Sequence, residues 1–342
     1  MALPALIDPH VHFRTPGHEH KENWKSAAAA AISGGVSTVF DMPNNIPSCT
    51  TVKALHKKKK IIDQQLKEAQ IPLRYQLYLG ADKKNLSEIP LAKHLCAAVK
   101  VFMGSSTGDL LIDDNSVLEK IFQLCAKHQM IVAVHAENEE IIRQNQILYK
   151  HEQNPAVHSI VRDRAAAEKA VSQAIFLAEK YQTTLYILHV STKEEIQLIR
   201  DAKKRGAKVF AEATPHHLFL NDTAYKSLGT CAQVNPPLRE EADVQALWNA
   251  IDQNIIDTIG TDHAPHLLEE KRQAYGRVPS GMPGIETVLP LLLSAYSEGK
   301  ISLDKIIELT RTNIEKLFSL PGNNDLVLVD LNTRKKVDAG NL

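Results

Sequence analysis

Short runs of β-branched and apolar residues alternate along the chain with longer stretches of helical period, the pattern of repeated parallel β/α units. Eight runs stand out as strands, at residues 5–12, 37–42, 74–80, 97–103, 131–135, 184–190, 208–213 and 256–261. The clearest helix covers 163–181. Asp163 can cap it, and Ala167, Ala170, Val171, Ala174, Ile175 and Ala178 form one apolar stripe able to pack on a sheet. Another helix is predicted from Lys21 to Gly34 and Gly35, where glycine can take the left-handed conformation that ends a helix. Eight such units predict an α/β fold of the (β/α)8 barrel type, with residues 1–318 as the barrel. After Pro321 and Gly322 the alternating DLVLVDL (325–331) breaks the pattern, and the tail 319–342 is expected to supply a small accessory sheet. The lysine run 57–60 reads as a solvated helix face.

Composition narrows the function classes. Forty Lys plus Arg against forty Asp plus Glu leave no net charge among 342 residues, so no global field favours nucleic acid or an anionic membrane surface. A small-molecule substrate is expected. Cys49, Cys96, Cys125 and Cys231 lie far apart without C-x-x-C spacing, and no N-terminal apolar segment resembles a signal peptide, so a cytoplasmic setting is expected. The apolar runs 27–32 and 288–293 fall far short of the roughly 20 residues of a membrane helix.

The chemistry concentrates at strand ends. DPHVHFR (8–14) carries His10 and His12, which share one face of a strand because residues i and i+2 do. Lys100 in AAVKVFMG, His135 in IVAVHAE, His189 in LYILHVS and Asp262 in IGTDHAPH end four other strands. The C-terminal ends of barrel strands are where such enzymes build active sites, and imidazole and carboxylate are divalent-metal ligands. Lys100 could pair with a carboxylate, or carbon dioxide could convert it to a carbamate able to bridge two ions. Asp262 could cap a helix, ligate metal and move a proton. A second H-x-H pair, His18 and His20, has no strand behind it and reads as surface loop. The loop 104–109 (GSSTGD) is either a plain turn or a lid over the site.

Taken together, DPHVHFRTPG (8–17), DMPNN (41–45), VKVFMGSSTG (99–108), VHAE (134–137), LHVS (188–191), EATPHHL (212–218), VNPPLR (234–239), TDHAPH (261–266) and GIETVLPLL (284–292) resemble the dihydroorotases of the amidohydrolase superfamily. The resemblance implies that His10, His12, carbamylated Lys100 and Asp262 hold one zinc ion, and that Lys100, His135 and His189 hold a second. It implies that Asp262 shuttles the proton, that Arg14, Asn44 and His266 grip a substrate carboxylate, and that Asn235 contacts a pyrimidine ring. His216 and His217 are taken as supports. The implied reaction is reversible hydrolysis of (S)-dihydroorotate to N-carbamoyl-L-aspartate in pyrimidine biosynthesis. A homodimer is expected, with possible association with a transcarbamoylase.

Two departures stand out. Only nine residues precede His10, so the β-sandwich of such relatives is expected to be cut down, with 319–342 its remnant. Ser280 stands where many of them carry an aromatic residue. Allantoinase- or dihydropyrimidinase-like chemistry is the alternative, but Arg14 with Asn44 favours a carboxylate-bearing substrate. A noncatalytic scaffold for a transcarbamoylase is the other alternative, and the six filled ligand positions argue against it.

Overall fold

The computed structural model describes residues 1–105, 109–334 and 336. Its eight parallel barrel strands run in sequence order: β2 (Leu6–Val11), β3 (Val36–Asp41), β4 (Arg74–Gly80), β5 (Ala98–Phe102), β6 (Val132–His135), β7 (Leu185–Ile187), β8 (Val209–Ala213) and β9 (Thr258–Ile259). The predicted runs fall on these strands: 74–80 coincides with β4, 37–42 is shifted by one residue from β3, and the other six are trimmed at their ends. The barrel closes through a parallel bridge between Val11 and His263, where the His12 amide donates to the His263 carbonyl at 2.8 Å. Asp8 reinforces that seam by accepting from the amide of Thr261 at 3.0 Å and from its hydroxyl.

Alternation along the strands separates two apolar layers. Val99, Val101, Val132, Val134, Leu185 and Ile187 pack outward against helices, including Ala170, Val171 and Ala174 of the helix Arg164–Tyr181. That helix is capped by Asp163, whose side chain accepts from the Ala166 amide. Ile7, Phe40, Tyr78, Ala98, Ala133 and Tyr186 belong to a separate inner cluster, which Ile314 and Phe318 join. The floor of the barrel is therefore packed solid, and polar side chains are left to its other end.

Among the described residues a separate small sheet pairs two antiparallel strands, β1 (Ala2–Pro4) and β10 (Leu326–Leu328). Among the described residues no helix is long and apolar enough to cross a membrane.

The predicted solvated lysine face fails at Lys58. In the helix Val52–Ala69 it is buried, donating to the Met42 carbonyl and to Asn45 Oδ1, each at 2.7 Å, and pairing with Asp41 Oδ2 at 2.7 Å. The cause is tertiary: β3 ends on Asp41 inside the protein, and the helix packed beside it brings Lys58 to that carboxylate. Asp41 Oδ1 also accepts from the Phe13 amide at 2.9 Å, tying the end of β3 to the segment between His12 and Arg14. Lys58→Met should leave a buried carboxylate without its counter-charge and destabilise the fold by about 3–5 kcal/mol in urea unfolding. A loss below about 1 kcal/mol would show the pair to be dispensable.

Candidate active site

Inward-facing positions change character two residues at a time. Ala98 is followed by Lys100 on β5, Ala133 by His135 on β6 and Phe210 by Glu212 on β8. Each strand thus contributes an apolar residue to the packed floor and a ligand-type residue above it, on the same face. His10 lies in β2, His12 just past it, His189 just beyond β7 and Asp262 just beyond β9. Arg14, His189 and Asp262 have φ of 56°, 41° and 49°, in the left-handed region that non-glycine residues seldom occupy. Three such residues at the mouth of one barrel mark backbone bent to aim side chains inward.

His10, His189 and Asp262 offer donor atoms within 4.8 Å of one another, all buried. Asp262 Oδ1 lies 3.1 Å from His10 Nε2 and 3.1 Å from His12 Nε2. The opposite nitrogens are held from behind. His10 Nδ1 is 2.8 Å from Glu212 Oε1, and His12 Nδ1 is 2.7 Å from Asn44 Oδ1. Since a carboxylate and an amide oxygen can only accept, both Nδ1 atoms carry protons there and both Nε2 atoms face Asp262. His135 Nε2 meets Glu137 Oε2 at 2.9 Å, which turns its Nδ1 toward His189 Nε2 at 3.0 Å. Glu137 is neutralised by Arg162, whose Nε lies 3.0 and 3.1 Å from its two oxygens.

The electrostatics suit ligand chemistry. Burial, the largest influence, pushes the His12 imidazolium down to about 4 and holds those of His135 and His189 below the ordinary range, leaving them neutral. Burial opposes charge on His10 as well, but Asp262 and Glu212 outweigh it and raise its affinity for a proton. Burial would raise the Asp262 carboxyl, yet His10 and His12 hold it well below the usual carboxylate range. A positive charge is therefore favoured between His10 Nε2 and Asp262 Oδ1, and a divalent cation meets that demand as a proton does. His189 Nδ1 is buried without a hydrogen-bond partner. Burial also brings Lys100 down to about 7. Its Nζ sits 4.6 Å from the centre of the Phe102 ring, and among the described residues no carboxylate comes within ion-pair distance of it. The donor set thus fits metal, and the paired-lysine alternative finds no partner.

Beside these groups lies a small cavity lined by His12, Arg14, Asn44, Asn235, Asp262, Ala264, Ser280 and Gly281. Arg14 is only 5% exposed; its Nε donates to the Pro265 carbonyl at 3.0 Å and its Nη2 lies 3.1 Å from His266 Nε2. Among the described residues no carboxylate is close enough to form an ion pair with it, and burial, opposed by more distant acids, depresses its pKa. A buried guanidinium without a counter-ion is costly unless a ligand supplies one. His266 stands behind this wall, contacting Lys21 Nζ at 2.9 Å through Nδ1 and the Ser280 carbonyl at 3.1 Å through Nε2.

The structure thus gathers all six predicted metal-site residues at one end of the barrel, and Arg14, Asn44 and Asn235 around one cavity, with His266 one layer back. His20 of the second H-x-H pair is exposed, as read. His217 bridges Thr214 Oγ1 at 2.8 Å and the Pro236 carbonyl at 3.1 Å, a supporting role. Of the loop 104–109, residues 106–108 lie outside the described residues. Sequence reading missed Glu212 and Glu137 as the groups that orient His10 and His135, and Lys21 as the partner of His266. A signal existed for the first two: an acid inside the apolar run VFAEA, and an acid two residues past a strand-end histidine.

The amidohydrolase family pattern matches residues 1–329. The chain is 38% identical over 331 residues to the multifunctional protein CAD of Squalus acanthias, covering 96% of this chain but 13% of that protein. It is 33% identical over 330 residues to the dihydroorotase of Methanosphaera stadtmanae, covering 95% of this chain and 72% of that enzyme. Among solved structures, the L-hydantoinase (dihydropyrimidinase) from Arthrobacter aurescens superposes with a TM-score of 0.94 at 28% identity, over 99% of this chain and 78% of its own. A match across almost the whole barrel, with relatives sharing a third of its residues over the same span, has one reading: the chain belongs to the amidohydrolase family, alongside the dihydroorotases.

Proposed function

We propose that the protein is a dihydroorotase, a cyclic amidohydrolase that interconverts (S)-dihydroorotate and N-carbamoyl-L-aspartate in pyrimidine biosynthesis. The observation that carries the choice of substrate is the buried Arg14, without an ion-pair partner among the described residues, on the wall of the same cavity as His12 and Asp262. Hydantoins and dihydropyrimidines lack a ring carboxylate and would leave that charge uncompensated. Dihydroorotate supplies the carboxylate, and a guanidinium can accept it in a bidentate pair. Asn44, whose Oδ1 is turned to His12, would direct its amide nitrogen toward the same group.

His10, His12 and Asp262 would hold one divalent ion and His135 and His189 a second, with Lys100, as a carbamate, supplying oxygen ligands to the site; zinc follows from the resemblance. Ions bound there would supply Lewis acidity, making a water acidic near neutral pH and polarising the ring carbonyl. Asp262 would take the proton of the attacking water and pass it to the departing ring nitrogen, because an amide nitrogen leaves poorly unless protonated. Glu212 and Glu137 would keep His10 and His135 in the tautomers the ions require. Arg14 and Asn235 would fix the ring so that its scissile carbonyl faces Asp262. In the synthetic direction the same carboxyl would return its proton as the ring closes. Likeness to one segment of a multifunctional protein supports the expectation that this barrel works beside a transcarbamoylase.

Arg14→Met should lower kcat/KM for dihydroorotate by a factor of about 100 or more, the scale of a lost charge-assisted contact, with metal content unchanged. Parental turnover in that variant would move the substrate toward dihydrouracil or a hydantoin, which a side-by-side assay would register. Lys100→Ala should lose nearly all activity and part of its bound metal by elemental analysis. A short carboxylic acid in solution should restore some of both; no rescue at any concentration would argue against the carbamate. Asp262→Asn should suppress hydrolysis and synthesis together by about 10²-fold or more. Near-parental rates in a fully metallated Asn variant would assign the proton to another group.

A further inference from the structure

His158 opens the short helix Val157 caps, His158–Val161, and is buried beside the cavity wall. Its Nε2 faces two atoms at once, the Val234 carbonyl oxygen at 3.0 Å and Asn235 Oδ1 at 2.9 Å. The carbonyl oxygen can only accept, so Nε2 must carry a proton. A protonated Nε2 in turn requires an acceptor from the neighbouring carboxamide, so the atom of Asn235 that meets it is the oxygen. The amide nitrogen is then turned to the other side, and Asn235 lines the cavity with His12, Arg14, Asn44 and Asp262. A backbone carbonyl thus sets a tautomer, and the tautomer sets which end of an asparagine the substrate meets.

The choice matters for a cyclic amide, whose edge alternates carbonyl acceptors with N–H donors. A carboxamide free to flip would tolerate a ring placed in either register, whereas one held with its nitrogen inward accepts only a carbonyl. We propose that His158 is a positioning residue that locks Asn235 as a hydrogen-bond donor, so that the site reads a ring carbonyl of its substrate and rejects the register that presents a ring N–H. This rests on the reading that the cavity takes a cyclic amide. Two further features keep the device intact: the Tyr275 ring meets His158 edge-on at 5.9 Å, and burial, then the Arg162 charge, keeps the imidazole neutral by pushing its pKa down to about 4.

The test compares dihydroorotate with two analogues carrying sulphur, a poorer acceptor, at each of its ring carbonyl positions in turn. In the parent protein one sulphur position should raise KM; His158→Phe, which keeps a ring but removes the donor, should raise KM for dihydroorotate about tenfold, more than it lowers kcat, and erase that oxygen preference. His158→Gln, which can still donate, should recover most of the difference, and Asn235→Asp, which has no amide nitrogen, should reproduce the KM rise. Nitrogen-15 NMR of the histidine-labelled full chain should find the Nε2–H tautomer at His158 without any substrate. An unprotonated Nε2, or a His158→Phe variant with parental KM and parental oxygen preference, would overturn the proposal. If the parent instead processes dihydrouracil and not dihydroorotate, the proposed substrate fails while the same sulphur comparison on dihydrouracil still decides the role of His158.

Discussion

The mouth of the barrel depends on one buried carboxylate. Glu212, at the inward face of β8, accepts from His10 Nδ1 at 2.8 Å, from the Tyr186 hydroxyl at 2.6 Å and from the His189 amide at 3.1 Å. Those contacts reach β2, β7 and the backbone turn that aims His189, so a single side chain orients ligands of both halves of the site. Gly260 makes room for it: a Cβ there would lie 2.4 Å from Glu212 Oε2 and 3.0 Å from the His10 Cβ. A charged group without solvent exposure survives because every partner around it is a donor.

From that carboxylate outward, the site is an ordered chain of donors and acceptors. Glu212 fixes the His10 tautomer, His10 and His12 hold Asp262 ionised, and Asn44 holds His12 from behind. Glu137 and Arg162 repeat the arrangement for His135. Because His10, His12 and His135 each have one nitrogen occupied by an acceptor, the other is presented inward with its lone pair, the state in which imidazole ligates a cation. Beside the Arg162 that answers Glu137, the site holds two buried cations, Lys100 and Arg14, that have no ion-pair partner among the described residues. One lies among the metal-type ligands and the other in the cavity wall. The proposed chemistry assigns both: carbamylation removes the first charge and the substrate carboxylate compensates the second.

Elsewhere the fold answers buried charge within itself. Asp41, Lys58 and the Phe13 amide join β3, its covering helix and the segment leading to Arg14, while Asp8 and Thr261 close the seam between β2 and β9. Both networks lie one strand or less from the site and hold its backbone. The left-handed turns at Arg14, His189 and Asp262 persist because the structure around them is fixed on several sides.

Periodicity alone determined the eight strands and the barrel, because a two-residue alternation against a 3.6-residue one is a local property that burial of one face enforces. The positions of His10, His12, Lys100, His135, His189 and Asp262 at strand ends were legible for the same reason: in a parallel barrel, strand ends converge. Lys58 was not legible, since four lysines in a row carry no mark of which one meets a buried aspartate from another strand. Nor were the role of Glu212, that of Lys21 and the one proposed for His158, each of which acts through a residue far away in sequence: 202 positions separate Glu212 from His10, and 77 separate His158 from Asn235. Sequence records which residue types a strand end carries; which nitrogen bears the proton and which way an amide faces are set only when closure of the barrel brings a specific acceptor within 3 Å.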